Sequence, residues 1–209
     1  MKREGNHPTR DRILQAAVDL MWRHGYRSTS PAQIMQATGV GQGSFYHHFP
    51  DKRSLGLAVV DEIVRANTEA MDGIFRPEVP PMERIRHWIE GISHQYRPPC
   101  DRGCPLGKLG IEMSAEDPAF RERLTAGFAR IRERIVRALR EADAAGEIDP
   151  EVDPDGLAEV ILAIVEGAIL IAQCEGEAGP MDRSVLQLER LLDGLQRPGL
   201  VPRANAADP

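Results

Sequence analysis

Proline and glycine punctuate this chain so regularly that they leave it few options besides a succession of helices. Between them, apolar residues recur at three- and four-residue intervals, and no stretch alternates as a strand would. Thr9 is placed to cap a first helix ending at His24 before Gly25, with Ile13, Leu14, Ala17, Leu20, Met21 and Trp22 as its apolar stripe. Ser30 caps a second, PAQIMQAT, with Pro31 at its first position, where the missing N–H costs no hydrogen bond. A third runs from about Gln42 to Phe49. Pro50 and Asp51 stop it and open a fourth, from Lys52 to about Ile74. Further helices are expected over 81–96, 106–113, 118–145, 154–176 and 181–196. The expectation is an all-α protein with a small helical unit over residues 1–50, a larger helical body over 51–198 and a loose tail over 199–209.

Charge is spread unevenly. Residues 1–60 hold eight Lys/Arg against four Asp/Glu, and the remainder holds eighteen against twenty-eight. A basic N-terminal unit on an acidic body suits a protein whose first part alone meets phosphates. The richest apolar segment, Leu157 to Cys174, is interrupted by Glu159, Glu166 and Gln173. No unbroken run therefore reaches the roughly 18 residues of a membrane span. The opening MKREGNHPTRDR lacks the apolar core of a secretion signal, and three cysteines make no disulfide framework. A cytoplasmic protein without membrane contact is expected.

Residues 30–52, SPAQIMQATGVGQGSFYHHFPDK, carry the functional signal. Two short helices meet at Thr38–Gly39–Val40, where Gly39 can take the positive φ a tight turn needs. Ile34, Ala37, Val40 and Phe45 supply small or apolar contacts where such helices cross. The second helix then offers Gln42, Gly43 and Ser44 at its N-terminal end, the part of a helix-turn-helix that enters the major groove. The Gln42 amide suits a base edge, adenine above all, and Gly43 admits close backbone approach. Tyr46, His47 and His48 can reach phosphates or bases, and Lys52 adds charge beside a helix N-terminus. Ser28 and Thr29 are candidate phosphate donors across the groove. The expected partner is a double-stranded DNA operator. No nucleophile–base pattern or phosphate loop points to an enzyme or a cofactor. His94, Cys100 and Cys104 lack the second pair a zinc site needs, so no metal is expected.

Ile13–Leu14, Ala16–Ala17, Met21–Trp22 and Gly25–Tyr26 resemble the opening of a TetR-type repressor. Ile34, Ala37, Gly39–Val40, Gly43–Ser44, Tyr46, His48–Phe49 and Lys52 resemble that family's DNA-binding signature. The resemblance implies a three-helix DNA-binding domain, a fourth connecting helix and a divergent helical domain that binds a small-molecule inducer. It also implies a homodimer built from the last two long helices, here near 154–176 and 181–196. Gly41 stands where the family often has serine and Gln42 where it often has lysine, so a phosphate donor is lost and charge is exchanged for base-edge hydrogen bonding.

Helix 157–174 is apolar nearly all round, which suits burial on more than one face. Val185, Leu188, Leu191, Leu192 and Leu195 form a second stripe. The run Gly103–Cys104–Pro105–Leu106–Gly107 with Leu109 and Glu112 resembles a TetR subgroup that answers reactive electrophiles or acrylate-like compounds. That resemblance implies Cys104 as a sensor. With Pro105 first in the short helix, Cys104 falls at the N-cap, where backbone N–H groups favour a thiolate. Arg102 and Lys108 can add to that effect, and Cys100 can resolve an oxidised Cys104. The alternative is that Cys104 only lines a pocket and the inducer binds without a covalent bond.

Overall fold

The computed structural model describes residues 8–96 and 102–196. Among them lie nine helices: α1 Pro8–His24, α2 Pro31–Thr38, α3 Gln42–His48, α4 Lys52–Ile74, α5 Pro81–Gln95, α6 Pro105–Met113, α7 Pro118–Ala144, α8 Pro154–Glu175 and α9 Gly179–Leu195. The only β pairing among the described residues is an isolated antiparallel bridge between Ile148 and Gln196. The helices fall where proline and glycine place them, because those residues act on their own few neighbours. Two ends differ. Thr9 lies inside α1 rather than capping it, and α9 begins at Gly179, with Pro180 in its first turn.

The chain divides into two compact units, Met1–Asn67 with Asp101–Phe128, and Thr68–Cys100 with Ala129–Pro209. They interleave along the chain and so cut it differently from a boundary near residue 50. The short helix α6 belongs to the same unit as the helix-turn-helix.

The first unit closes around side chains almost without solvent exposure: Ile13, Ala17 and Met21 of α1, Ile34 of α2, Phe45 of α3, Leu55 and Val59 of α4, Leu106 and Leu109 of α6, and Phe120 of α7. Each of the larger side chains contributes roughly 1.5–3 kcal/mol by leaving water, and the Ala17 methyl less. Gly56 lets α4 approach this core closely. A Cβ there would lie 2.5 Å from Cε2 of Tyr26 and 2.8 Å from Cζ of Phe120, two rings packed edge to face with centroids 5.2 Å apart.

In the second unit, Ile85, Trp88 and Ile89 of α5, Ile135 and Leu139 of α7, Ile161 and Val165 of α8, and Met181, Leu188 and Leu192 of α9 are buried. Arg84 is buried with them because its donors are used. It donates to the carbonyls of Val79 (2.6 Å) and Pro77 (3.0 Å) and pairs with Glu141. Arg132–Glu159 (2.6 Å) and Arg140–Asp155 (2.7 Å) bridge α7 to α8 at the surface, where such pairs add little. Asp153 caps α8 by accepting from the N–H groups of Asp155 and Gly156. By length and composition α8 could cross a membrane, but its Ala158, Ile161, Leu162 and Val165 face is buried in this unit, where it packs along α9. Its other face is apolar and uncovered: Val160, Leu170 and Ile171 are each about half exposed, as are Leu186 and Leu191 on α9.

Overpacking a filled core costs about 1–3 kcal/mol. Gly56→Ala is therefore expected to lose about 1–3 kcal/mol of stability, read as a lower urea unfolding midpoint, and an unchanged midpoint would show that the Tyr26–Phe120 pair can yield.

Candidate nucleic-acid interface

The helix-turn-helix is built from local rules. The Ser30 hydroxyl accepts from Gln33 N while the Gln33 amide oxygen accepts from Ser30 N (2.7 Å), a reciprocal capping box that starts α2. Gly39 ends α2 at φ 67°, the left-handed geometry a β-carbon disfavours. The Thr38 hydroxyl donates to Ile34 O (2.8 Å) and accepts from Val40 N (3.4 Å), tightening the turn. Phe45 and Phe49 then drive the underside of α3 into the core. Gly41 is the N-cap of α3 and provides no side-chain hydrogen bond, as its replacement of a serine predicts.

With its aromatic underside sunk, α3 presents Gln42, Gly43, Ser44, Tyr46 and His47 to solvent, with His48 half-buried beside His47. Beyond its chain neighbours and the backbone of its own helix, nothing lies within 4 Å of a Cβ built on Gly43, so that surface is open to close approach. Ser28 is exposed as well. Two expectations fail. Thr29 is 1% exposed and its hydroxyl donates to Gly25 O (2.8 Å), so it braces the turn from inside and cannot meet a phosphate. Ala37 faces solvent; Ile34, Val40 and Phe45 make the helix crossing without it.

Lys52 is more constrained than its sequence position suggests. Its ammonium stands 4.5 Å over the Tyr26 ring and donates to Arg27 O (3.2 Å). Arg53 beside it makes a two-pronged contact with Asp117 (2.5 and 3.0 Å), and Asp117 also accepts from Ala119 N at the start of α7. The Arg53 hydrogen bonds, more than its charge alone, hold the Asp117 carboxyl below its ordinary value. Burial raises the Tyr26 hydroxyl above its ordinary value, and the nearby carboxylates of Asp51 and Asp117 push it the same way.

The segment from Arg102 to Glu116 is the part sequence reasoning placed least well. The Trp22 indole donates to Gly103 O (2.7 Å), and Arg102 stacks over that indole while pairing with Asp19 (3.0 Å). Lys108 Nζ donates to Trp22 O (2.8 Å) and Arg23 O (3.1 Å), closing the C-terminal end of α1. Glu112 accepts from Arg27 N (2.8 Å), and Glu116 pairs with the Arg27 guanidinium (3.1 Å). Cys104 is the N-cap of α6, and its Sγ accepts from Gly107 N (3.3 Å). The two cations expected to stabilise its thiolate, Arg102 and Lys108, also make hydrogen bonds or ion pairs with α1. Cys100 lies outside the described residues. Trp22, Arg27, Glu112 and Asp117 were not singled out as site residues, since their partners lie 64 to 86 positions away and leave no local pattern.

A helix-turn-helix with an exposed polar second helix, in an otherwise helical chain, defines a DNA-binding regulator. Residues 13–59 match the model of bacterial regulatory proteins of the tetR family, and residues 81–188 match the tetracyclin repressor-like C-terminal domain. The chain belongs to the TetR family of transcriptional regulators, which are not enzymes. It is 34% identical over 175 residues to the transcriptional regulator AcuR of Cereibacter sphaeroides, covering 81% of this chain and 78% of that one. It is 25% identical over 177 residues to the transcriptional repressor DhaR of a Mycobacterium species, covering 84% of this chain and 88% of that one. A TetR regulator from Chloroflexus aurantiacus superposes with a TM-score of 0.84 at 32% identity, covering 91% and 96% of the two chains.

The Arg53–Asp117 contact makes this unit sensitive to acid. A carboxylate held below its unfolded value adds stability that is present above the ordinary carboxylate range and lost as pH falls through the folded value. Asp117→Asn removes that dependence. In acid titrations of unfolding, the variant is expected to be less stable than wild type at neutral pH, with the gap starting to close near the ordinary aspartate value and closing fully only below the lowered folded value. Parallel curves at all pH values would mean that Asp117 does not titrate with unfolding.

Proposed function

We propose that the protein is a cytoplasmic repressor that binds a two-fold DNA operator as a homodimer and lets go when a small molecule binds. The observation that carries this reading is the build of α3, with aromatic side chains sunk on one side and an exposed Gln42–Gly43–Ser44 turn on the other. Gln42 is read as the base-reading residue. Ser28, Ser44, Tyr46, His47, His48 and Lys52 are read as holding the sugar–phosphate backbone. The uncovered apolar faces of α8 and α9 are read as the dimer surface, since an apolar face left in water calls for a partner and a two-fold pairs two recognition helices with successive major grooves. The relative DhaR, described as a repressor, supports repression. The inducer is read as favouring a state with a different spacing between the recognition helices.

A second reading makes Cys104 the sensor, and its N-cap position on α6 favours it. With an acrylate ester, the thiolate sulfur would bond to the β-carbon, the C=C π pair would move to the α-carbon, and that carbon would take a proton from water. No oxidant is consumed. Cys104 sits in the segment that closes α1, so an adduct there would press on contacts the DNA-binding unit depends on.

Two measurements test these readings. In selection of sites from random duplex DNA, Gln42→Ala is expected to change the preferred base at one position, at a cost of about 1–3 kcal/mol for the original base. Lys52→Ala should weaken all sequences alike and reduce the salt slope by about one. An unchanged profile for Gln42→Ala would remove it as the reading residue. For the sensor, wild type treated with an acrylate ester should gain the adduct mass at Cys104 and release DNA, while Cys104→Ser stays bound. Release by the variant as well would place the inducer in a non-covalent site.

A further inference from the structure

The turn that leads from α1 into the recognition unit is held from both sides. Gly25 is buried with φ +85°, and a Cβ on it would lie 1.9 Å from Oε1 of Glu112, so the carboxylate of α6 occupies the space a side chain would take. The other oxygen, Oε2, accepts from Arg27 N at 2.8 Å. On the opposite face of the same residue, Lys52 Nζ donates to Arg27 O at 3.2 Å and lies over the intervening Tyr26 ring. Glu112 and Lys52 therefore grip one peptide segment, one by its N–H and the other by its carbonyl. Two residues further on the chain is braced by Thr29, and Ser30 then caps α2.

We propose that Glu112 is a positioning residue for DNA binding: by filling the Gly25 vacancy and holding Arg27 N, it sets the turn against which Lys52 is oriented toward the DNA backbone. This rests on the reading of Lys52 as a phosphate contact. An opposing effect has to be weighed, because a carboxylate near Lys52 can also draw the ammonium away from a phosphate. The geometry decides for positioning. Glu112 makes its direct hydrogen bond to Arg27 N, whereas its action on Lys52 is through space and opposes only part of the loss of solvent that burial imposes on that ammonium.

Reach and charge are separable at this position. Glu112→Gln keeps the length and an acceptor oxygen but loses the charge. Glu112→Asp keeps the charge but is one methylene too short to reach Arg27 N. The probe is the duplex that wild type enriches most from a random pool. Binding is measured across a salt series at a temperature where far-UV circular dichroism shows each variant folded, with active fractions fixed by stoichiometric titration. The expected result is that Glu112→Gln binds within about twofold of wild type, while Glu112→Asp and Glu112→Ala bind about tenfold more weakly with a salt slope shallower by about one, the signature of one lost phosphate contact. A purely structural role would lower the melting temperature and leave the slope of the folded protein unchanged. Should Glu112→Ala fail to fold, the Gln and Asp variants decide between them. Full binding by Glu112→Asp, or loss in Glu112→Gln as deep as in Glu112→Asp, overturns the proposal while leaving DNA binding intact. Failure of wild type to enrich any duplex overturns the DNA-binding reading itself.

Discussion

The hydrogen bond from the Trp22 indole to Gly103 O joins residues 81 apart and marks the contact on which the DNA-binding unit depends. A three-helix unit of this size buries little apolar surface alone, and small domains are marginal for that reason. Here α6 and the start of α7 enlarge it, bringing Leu106, Leu109 and Phe120 into one core with Ile13, Met21, Phe45 and Leu55. The polar contacts around that core are directional and attach to backbone: Lys108 to the last carbonyls of α1, Glu112 to Arg27 N, Asp117 to the first turn of α7. They set where the helix-turn-helix stands as well as how stable it is.

Much of the basic charge in the first sixty residues is used inside the protein. Arg23 and Arg102 share Asp19, Arg27 meets Glu116, and Arg53 meets Asp117. The positive excess read from the sequence therefore overstates what is left for a phosphate backbone. Exposed pairs of this kind add about 0–1 kcal/mol each to stability. Their larger effect is to restrict which cations face outward. Tyr46, His47 and Lys52 gain weight in the proposed interface for that reason, and Gln42 stands among them as a neutral reader. Exchanging a cation for an amide at that position lowers non-specific attraction and leaves discrimination to a hydrogen-bonded base edge.

Helix positions, the turn at Gly39, the capping box at Ser30 and the sunken Phe45–Phe49 underside of α3 could all be read from the sequence, because each is decided by residues within about four positions of one another. The N-cap place of Cys104 was legible on the same ground. Thr29 was misjudged. Its hydroxyl has the chemistry of a phosphate donor, and only the packed turn turns it inward to Gly25 O. Lys108 was assigned to the Cys104 thiolate from nearness in sequence, and that nearness did not foretell that its ammonium also donates to the last carbonyls of α1. By itself the sequence determined an all-helical chain and a recognition helix with one apolar and one polar side, because periodicity and capping are local. Tertiary structure alone decided that α6 belongs with the DNA-binding unit and that Glu112 stands in the space beside Gly25. Those contacts join residues more than eighty positions apart, and no local spacing encodes which distant backbone group a side chain will meet.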